Sequence, residues 1–152
     1  VWIVDVAIVV HRNRCRYATL LVRCGGIIGM GENREDVVDM LMDVKEINPE
    51  SVPINFLLPI KGTRLADRDI SGLTPQYCLK VLCLARLLVP KSDIRCAAGR
   101  EVYIKGIVPT LFKVVESIFA SGYLTADGQG IDDTIKMIEN AGFTSEIESK
   151  DC

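Results

Sequence analysis

The chain has 152 residues, of which 49% are hydrophobic and 25% are charged, and its formal net charge is −2. This composition is typical of one globular domain with a sizeable core, and it excludes general disorder. The near-zero charge gives no electrostatic basis for binding nucleic acid. No apolar run reaches the roughly 20 residues that span a bilayer, so we expect no membrane partner.

The six cysteines form no Cys-x-x-Cys pair. A chain of this size and apolar content does not need a disulfide scaffold. Residues 1–10 lack the basic n-region of a secretory signal and carry Asp5 in their middle. We therefore expect a reduced, cytoplasmic protein, and we expect a fragment because the sequence begins with Val.

Strand-like and helix-like stretches then alternate along the chain. An apolar strand is predicted over residues 18–28, followed by a glycine-rich turn. Asn33 is a favourable helix N-cap, with Glu35 and Asp36 in the first turn, and Asn48-Pro49 ends that helix.

The following strands are predicted over residues 51–58 and 94–97, with a helix between them. This helix begins at Thr74-Pro75, a cap followed by a first-turn proline, and ends at Pro90. The remaining predicted elements are a helix over 109–115, a strand over 117–120 and a helix over 132–140 that is closed by Gly142.

Four successive strand–helix units with buried strands predict an α/β fold with a parallel sheet and right-handed crossovers. Units of about 30 residues fit either a doubly wound sheet or half of a (β/α)₈ barrel. Both architectures bind ligands at the carboxyl ends of their strands.

Two polar residues lie inside the predicted strands, Asn55 and Arg95. A buried amide needs a hydrogen-bond partner, and a guanidinium in a short strand needs an anion or a cavity. Together they indicate a ligand cavity, although both could also lie half-solvated at strand ends. A histidine-based triad is disfavoured because His11, in a basic segment, is the only histidine.

Four segments resemble, in order and spacing, the signatures of biotin synthase, a radical S-adenosylmethionine (SAM) enzyme. They are Cys24-Gly25-Gly26-Ile27-Ile28-Gly29-Met30-Gly31-Glu32, Ser51-Val52-Pro53-Ile54-Asn55-Phe56-Leu57, Ile94-Arg95 with Ala97-Ala98-Gly99-Arg100-Glu101, and Ser117-Ile118-Phe119 with Gly122-Tyr123-Leu124-Thr125. The resemblance implies that residues 24–148 are the C-terminal half of a (β/α)₈ barrel. Residues 1–23 are then an unmatched N-terminal segment, and residues 149–152 are a tail.

The resemblance also implies an activity, the insertion of sulfur into dethiobiotin to form biotin. In that family a 4Fe–4S cluster, held by Cys-x-x-x-Cys-x-x-Cys, cleaves SAM, and the resulting 5′-deoxyadenosyl radical abstracts hydrogen from the substrate. A 2Fe–2S cluster, held by three cysteines and one arginine, donates the sulfur. Members of the family form homodimers.

Carried onto this sequence, the resemblance assigns Arg95 to the 2Fe–2S cluster and Asn55 to the ureido ring of the substrate. Thr125 corresponds to a small polar residue near the substrate carboxylate. The residues that line the SAM pocket would be Gly26, Ile27, Ile28, Gly29 and Glu32. No residue is assigned as catalytic.

The first signature departs from the family at its cysteine. The family's cluster ligand falls at Arg23 in this sequence, and the cysteine occurs one position later, at Cys24. Side chains alternate between the faces of a strand, so Cys24 points away from the cluster unless the backbone slips locally. Either the slip makes Cys24 a metal ligand, or the ligand is lost. The motif Cys-x-x-x-Cys-x-x-Cys does not occur.

We therefore expect a fragment that is inactive alone and catalytic only if the missing half is supplied. Two alternatives stay open: a non-catalytic half-barrel remnant or scaffold, and a related radical SAM enzyme with a different substrate. A half barrel leaves strand edges and one face of its sheet uncovered, which predicts self-association.

Overall fold

The computed structural model describes residues 2–9, 19–119 and 130–146, with side chains from residue 22 onward. The strands are β1 (Trp2–Val9), β2 (Thr19–Ile28), β3 (Ser51–Phe56), β4 (Asp93–Cys96) and β5 (Ser117–Ile118). The helices are α1 (Arg34–Ile47), α2 (Pro75–Leu88), α3 (Arg100–Tyr103), α4 (Val108–Leu111) and α5 (Ile131–Asn140), with a 3₁₀ turn over Lys105–Ile107. Within these ranges, none of the helices has both the length and the apolar character that a membrane crossing requires.

The strands form one sheet in the order β1-β2-β3-β4-β5. Neighbouring strands from β2 to β5 are parallel, which confirms the predicted α/β fold with a four-stranded parallel sheet. This arrangement is consistent with half of a (β/α)₈ barrel.

The strand β1 is not among the predicted units. It pairs antiparallel with β2, from Trp2 opposite Gly26 to Val9 opposite Thr19. The segment is rich in β-branched residues, which favour a pleated strand. Our expectation of an open parallel edge at β2 is therefore wrong, because β1 covers that edge.

The long helices begin and end where the sequence predicts. At the start of α1, the side chain of Asn33 accepts a hydrogen bond from the N–H of Asp36 at 2.9 Å. The Asp36 carboxylate accepts one from the N–H of Asn33 at 2.8 Å, which completes a capping box. In α2, the Thr74 hydroxyl accepts from the N–H of Tyr77 at 3.2 Å, and Pro75 is the first helical residue.

The predicted helix over 109–115 is wrong in its extent. The structure has two single-turn α-helices, α3 and α4, separated by the 3₁₀ turn. Ile104 (φ −115°, ψ 6°) and Ile107 (φ −131°, ψ 26°) leave the helical region at the two junctions, so the helical hydrogen bonds are interrupted there. The last helix, α5, confirms the prediction, and Gly142 follows it with φ +84°.

Side chains alternate between the two sides of each strand, so the sheet has two distinct faces. One face packs against α1 and α2 and forms the core; its fully buried residues include Cys24, Val52, Ile54, Phe56, Ile94 and Cys96. We call the opposite face the cavity face. It carries Arg23, Ser51, Pro53, Asn55, Arg95, Ala97 and Phe119.

Candidate functional site

A cavity of about 200 Å³ lies on the cavity face of the sheet. Both polar strand residues that the sequence singles out, Asn55 and Arg95, line it. They come from the neighbouring strands β3 and β4, on which Pro53 is in register with Arg95. The structure therefore brings these two side chains into one ligand-sized space.

Arg95 is held by groups on its own and the next strand. Its Nη2 donates to Oδ2 of Asp93 at 2.7 Å, and its Nε donates to Oγ of Ser117 at 2.9 Å. The guanidinium carbon also lies 5.7 Å from the centre of the Phe119 ring, within cation–π range. These contacts fix the orientation of the guanidinium in the cavity.

Asn55 ties three chain segments together. Its Oδ1 accepts from the N–H of Ala98 at 3.1 Å, and its Nδ2 donates to the carbonyl of Gly26 over a longer 3.4 Å. An amide side chain offers two N–H donors and two acceptor lone pairs. The observed contacts use one of each, so one donor and one acceptor site are left for a ligand.

Arg23 and Cys24 lie on opposite faces of β2. Arg23 lines the cavity, whereas Cys24 is fully buried in the core beside the helices. Burial raises the pKa of the Cys24 thiol. Cys96 lies in the same core, and burial raises the pKa of its thiol to about 12. Neither thiol is on the face that carries Arg95.

The predicted SAM-binding turn follows β2. Ile27, Ile28 and Glu32 border a second cavity, of about 310 Å³, between this turn and α1. Three aspartates of α1 also line it, namely Asp36, Asp39 and Asp43. Gly26 faces α1, since a Cβ there would lie 2.3 Å from Sδ of Met40, and the N–H of Gly29 donates to the Glu32 carboxylate.

The turn after β4 needs glycine at position 99. Gly99 has φ +88°, and a Cβ there would lie 2.4 Å from the carbonyl oxygen of Phe56. This close approach lets the N–H of Phe56 donate to the carbonyl of Ala98 at 2.8 Å. The turn in this way positions the N–H of Ala98 for its contact with Asn55.

Two charged features of the site are not among the residues predicted from the sequence. Asp93, the partner of Arg95, could have been found because residues i and i+2 of a strand share a face. Arg100 is 2% exposed and its Nη2 lies 2.9 Å from Oε1 of Glu101, an ion pair that the sequence does not reveal. Nη1 of Arg100 also donates to the sulfur of Met137 at 3.4 Å, and this contact connects the turn after β4 to α5.

Two further predictions concern this region, namely the contact of Thr125 with the substrate carboxylate and the presence of metal ligands. Thr125 lies outside the described residues. Within the described residues, no group of three or more His, Cys, Asp or Glu side chains is arranged to hold a metal ion.

Comparison with known proteins extends the sequence resemblance. Residues 53–144 match the model of the Biotin and Thiamin Synthesis associated domain. A biotin synthase of Thermus thermophilus is 49% identical over 117 residues, which are 76% of this chain and 36% of the relative. The biotin synthase of Salinibacter ruber is 48% identical over 120 residues, 79% of this chain and 33% of the relative. The chain thus spans about a third of the length of these relatives.

Proposed function

This chain belongs to the Biotin and Thiamin Synthesis associated domain family and matches part of biotin synthase, and from that premise we propose that it serves biotin biosynthesis. Residues 24–148 would be the C-terminal half of a (β/α)₈ barrel, with 1–23 as an added N-terminal segment and 149–152 as a tail. The reaction to which this half barrel contributes is sulfur insertion into dethiobiotin. We propose a cytoplasmic location, where buried thiols stay reduced.

One observation carries the proposal: Asn55 and Arg95 line the same cavity. A cyclic urea presents a carbonyl acceptor and N–H donors, and the remaining amide donor and acceptor of Asn55 match both. Arg95, fixed by Asp93 and Ser117, would close the same space from the next strand. The chain would thereby supply one wall of the substrate pocket, and Thr125 would contact the substrate carboxylate.

Of the family's cofactors, SAM fits residues of this chain, whereas the iron–sulfur clusters do not. SAM carries a sulfonium and an ammonium cation, which suit the carboxylates around the cavity beside Ile27, Ile28 and Glu32. Gly26 and Gly29 would form the rest of that site. SAM would be the source of the radical, and the electron that cleaves it would have to come from a donor on a partner chain.

Iron–sulfur clusters do not fit the residues of the cavity. Their ligands are thiolates, and Cys24 and Cys96 lie across the sheet from Arg95. The 4Fe–4S motif is absent from the sequence. We derive no chemical step through either cluster. Sulfur insertion would need a partner chain that brings thiolates to the cavity face.

The test of this proposal is the binding of dethiobiotin to the full chain, measured by ligand-observed NMR. Asn55→Asp keeps the acceptor for the N–H of Ala98 but removes both amide donors, the one to the Gly26 carbonyl and the one left for the urea carbonyl. We expect this variant to lose about 1–3 kcal/mol of binding, or roughly 5- to 150-fold in affinity. Asn140→Ala, an exposed site on α5, is the matched control and should bind normally. Absence of binding, or equal binding by both variants, would refute the proposal.

A second candidate, a non-catalytic half-barrel scaffold, is favoured by the position of Cys24 in the core. Dethiobiotin binding discriminates between the two, and anaerobic reconstitution with iron and sulfide tests whether this chain alone holds a cluster. Cluster absorption that disappears in Arg95→Ala would support retained chemistry, whereas no iron uptake together with no dethiobiotin binding would support the scaffold. A related radical SAM enzyme with another substrate predicts cluster assembly without dethiobiotin binding.

A further inference from the structure

The two guanidinium groups of the cavity face differ in their partners. Arg95 is paired with Asp93, and the distance between Nη2 and Oδ2 is 2.7 Å. Arg23 lines the same cavity and is only partly exposed, yet it makes no hydrogen bond or ion pair with the side chains described from residue 22 onward. Among those side chains, Asp93 compensates only one of the two positive charges at this end of the cavity.

The position of Arg23 is set by the sheet register. Arg23 is in register with Ser51, and Ser51 is in register with Asp93 on the next strand. The Ser51 hydroxyl faces this row and donates to Asp93 over 3.4 Å, a long contact. A guanidinium and a hydroxyl therefore lie side by side at one end of the cavity.

A partly buried guanidinium favours an anion, because it has lost part of its hydration and needs hydrogen bonds in exchange. The planar fork of arginine matches a carboxylate with two parallel hydrogen bonds. Beyond Ser51 the cavity is lined by the apolar groups of Pro53, Ala97 and Phe119. The site therefore combines one cationic end with an apolar wall.

We propose that Arg23 forms an anion site for a small organic carboxylate, with the carboxylate on its guanidinium beside Ser51. The apolar part of the ligand lies against Pro53, Ala97 and Phe119. The cavity of about 200 Å³ fits a short-chain acid rather than a large ligand. The site does not depend on Asn55, so it stands or falls separately from the proposed function.

The test uses hexanoate as the probe, titrated into the full chain by NMR chemical-shift perturbation. Hexanoate should bind, and Arg23→Gln should weaken it at least about tenfold, since a charged hydrogen bond is lost. Arg23→Lys keeps the charge without the fork and should bind with intermediate affinity. Arg34→Gln, at an exposed arginine of α1, should match the parent chain, and circular dichroism of each variant verifies folding.

Asp5 provides a further variant, because it is the residue of β1 in register with Arg23. Residues directly opposite each other in an antiparallel pair lie on the same face of the sheet, and removing a negative charge from that face favours an anion. Asp5→Asn should therefore bind hexanoate at least as tightly as the parent chain. Weaker binding by a folded Asp5→Asn variant would overturn the assignment of the anion to Arg23.

Two comparison ligands, hexanol and inorganic phosphate, test whether the site needs both a carboxylate and an apolar chain. Hexanol should not bind, because it lacks the anion, and inorganic phosphate should bind more weakly than hexanoate, because it lacks the apolar chain. Equal binding of phosphate and hexanoate would overturn the assignment to an organic carboxylate. An equal effect of Arg23→Gln and Arg34→Gln, both folded, would overturn the site itself. Hexanoate contains no urea group, so its binding and the loss of that binding in Arg23→Gln are measured without dethiobiotin, which keeps this result distinct from the dethiobiotin experiment.

Discussion

Asp93 and Arg95 lie two positions apart on β4 and form an ion pair on the cavity face, with Oδ2 and Nη2 2.7 Å apart. The Asp93 carboxylate also accepts from the hydroxyl of Ser117 at 2.8 Å, on β5. One carboxylate therefore neutralises the guanidinium and connects it to the next strand. Asp93 and Ser117 together orient the Arg95 guanidinium.

Asp93→Asn should destabilise the fold by about 1–3 kcal/mol, because the charged acceptor of Arg95 is lost while the guanidinium stays mostly buried. The midpoint of urea unfolding measures the change. Asp67→Asn, at an exposed position of the loop before α2, is the control and should leave the midpoint nearly unchanged. A midpoint shift that is the same for both variants would contradict the role of Asp93.

Gly99 and Gly62 provide a matched pair of glycines with nearly the same φ angle. Their φ angles are +88° and +87°, but a Cβ at Gly99 would lie 2.4 Å from a backbone oxygen, whereas at Gly62 no atom lies within 4 Å. Gly62→Ala should cost about 1–2 kcal/mol for the left-handed conformation alone. Gly99→Ala should cost clearly more in thermal or urea unfolding, since it adds the clash with Phe56. Similar losses for the two variants would exclude that clash.

The buried thiols predict a loss of stability at alkaline pH. Burial raises the pKa of Cys78 and of Cys96 to about 12 from the ordinary 9.0. The unfolded chain ionises these thiols first, so their contribution to the free energy of unfolding is complete below pH 9. It falls as the pH rises from about 9 towards 12.

Urea unfolding at pH 8 and pH 10 tests the thiol prediction. Each such thiol should lower the free energy of unfolding by about 1 kcal/mol at pH 10. Cys96→Ala removes one titrating group, so its stability should fall less between the two pH values than that of the parent chain. For each protein we compare the change in the free energy of unfolding between pH 8 and pH 10. The cavity left by Cys96→Ala lowers stability equally at both pH values, so its cost cancels in this change. Equal falls for the two proteins would refute the prediction.

The uncovered cavity face predicts self-association of the isolated chain. Phe119, which is 41% exposed, lies on this face beside Pro53 and Ala97. Phe119→Asp should weaken association by about 1–2 kcal/mol, through lost apolar burial. Leu87→Asp, at a residue of α2 that is 77% exposed, is the control on the helix side and should associate like the parent chain. Sedimentation as a concentration-independent monomer would contradict the prediction.

Much of the fold could be predicted from the sequence, because its determinants are local. Asn33 and Thr74 cap helices through residues three positions away, and apolar periodicity identifies the strands and helices of the parallel sheet. The predicted helix over 109–115 is too long, because α4 ends at Leu111 and the following hydrogen bonds, from Lys113 to Thr110 and from Val114 to Leu111, close three-residue turns. The strand β1 was missed because its register depends on pairing with β2, which no local pattern specifies.

The sequence by itself determined the α/β class, the helix caps and the family, and strand alternation was enough to separate Arg23 from Cys24. Only the tertiary structure decided that Ser117 of β5 joins the Asp93–Arg95 pair and that Arg23 lines the same cavity as Arg95. The physical reason is that period and propensity act over a few neighbouring residues, whereas side-chain contacts between strands and cavity lining depend on the register between strands that are distant in the chain.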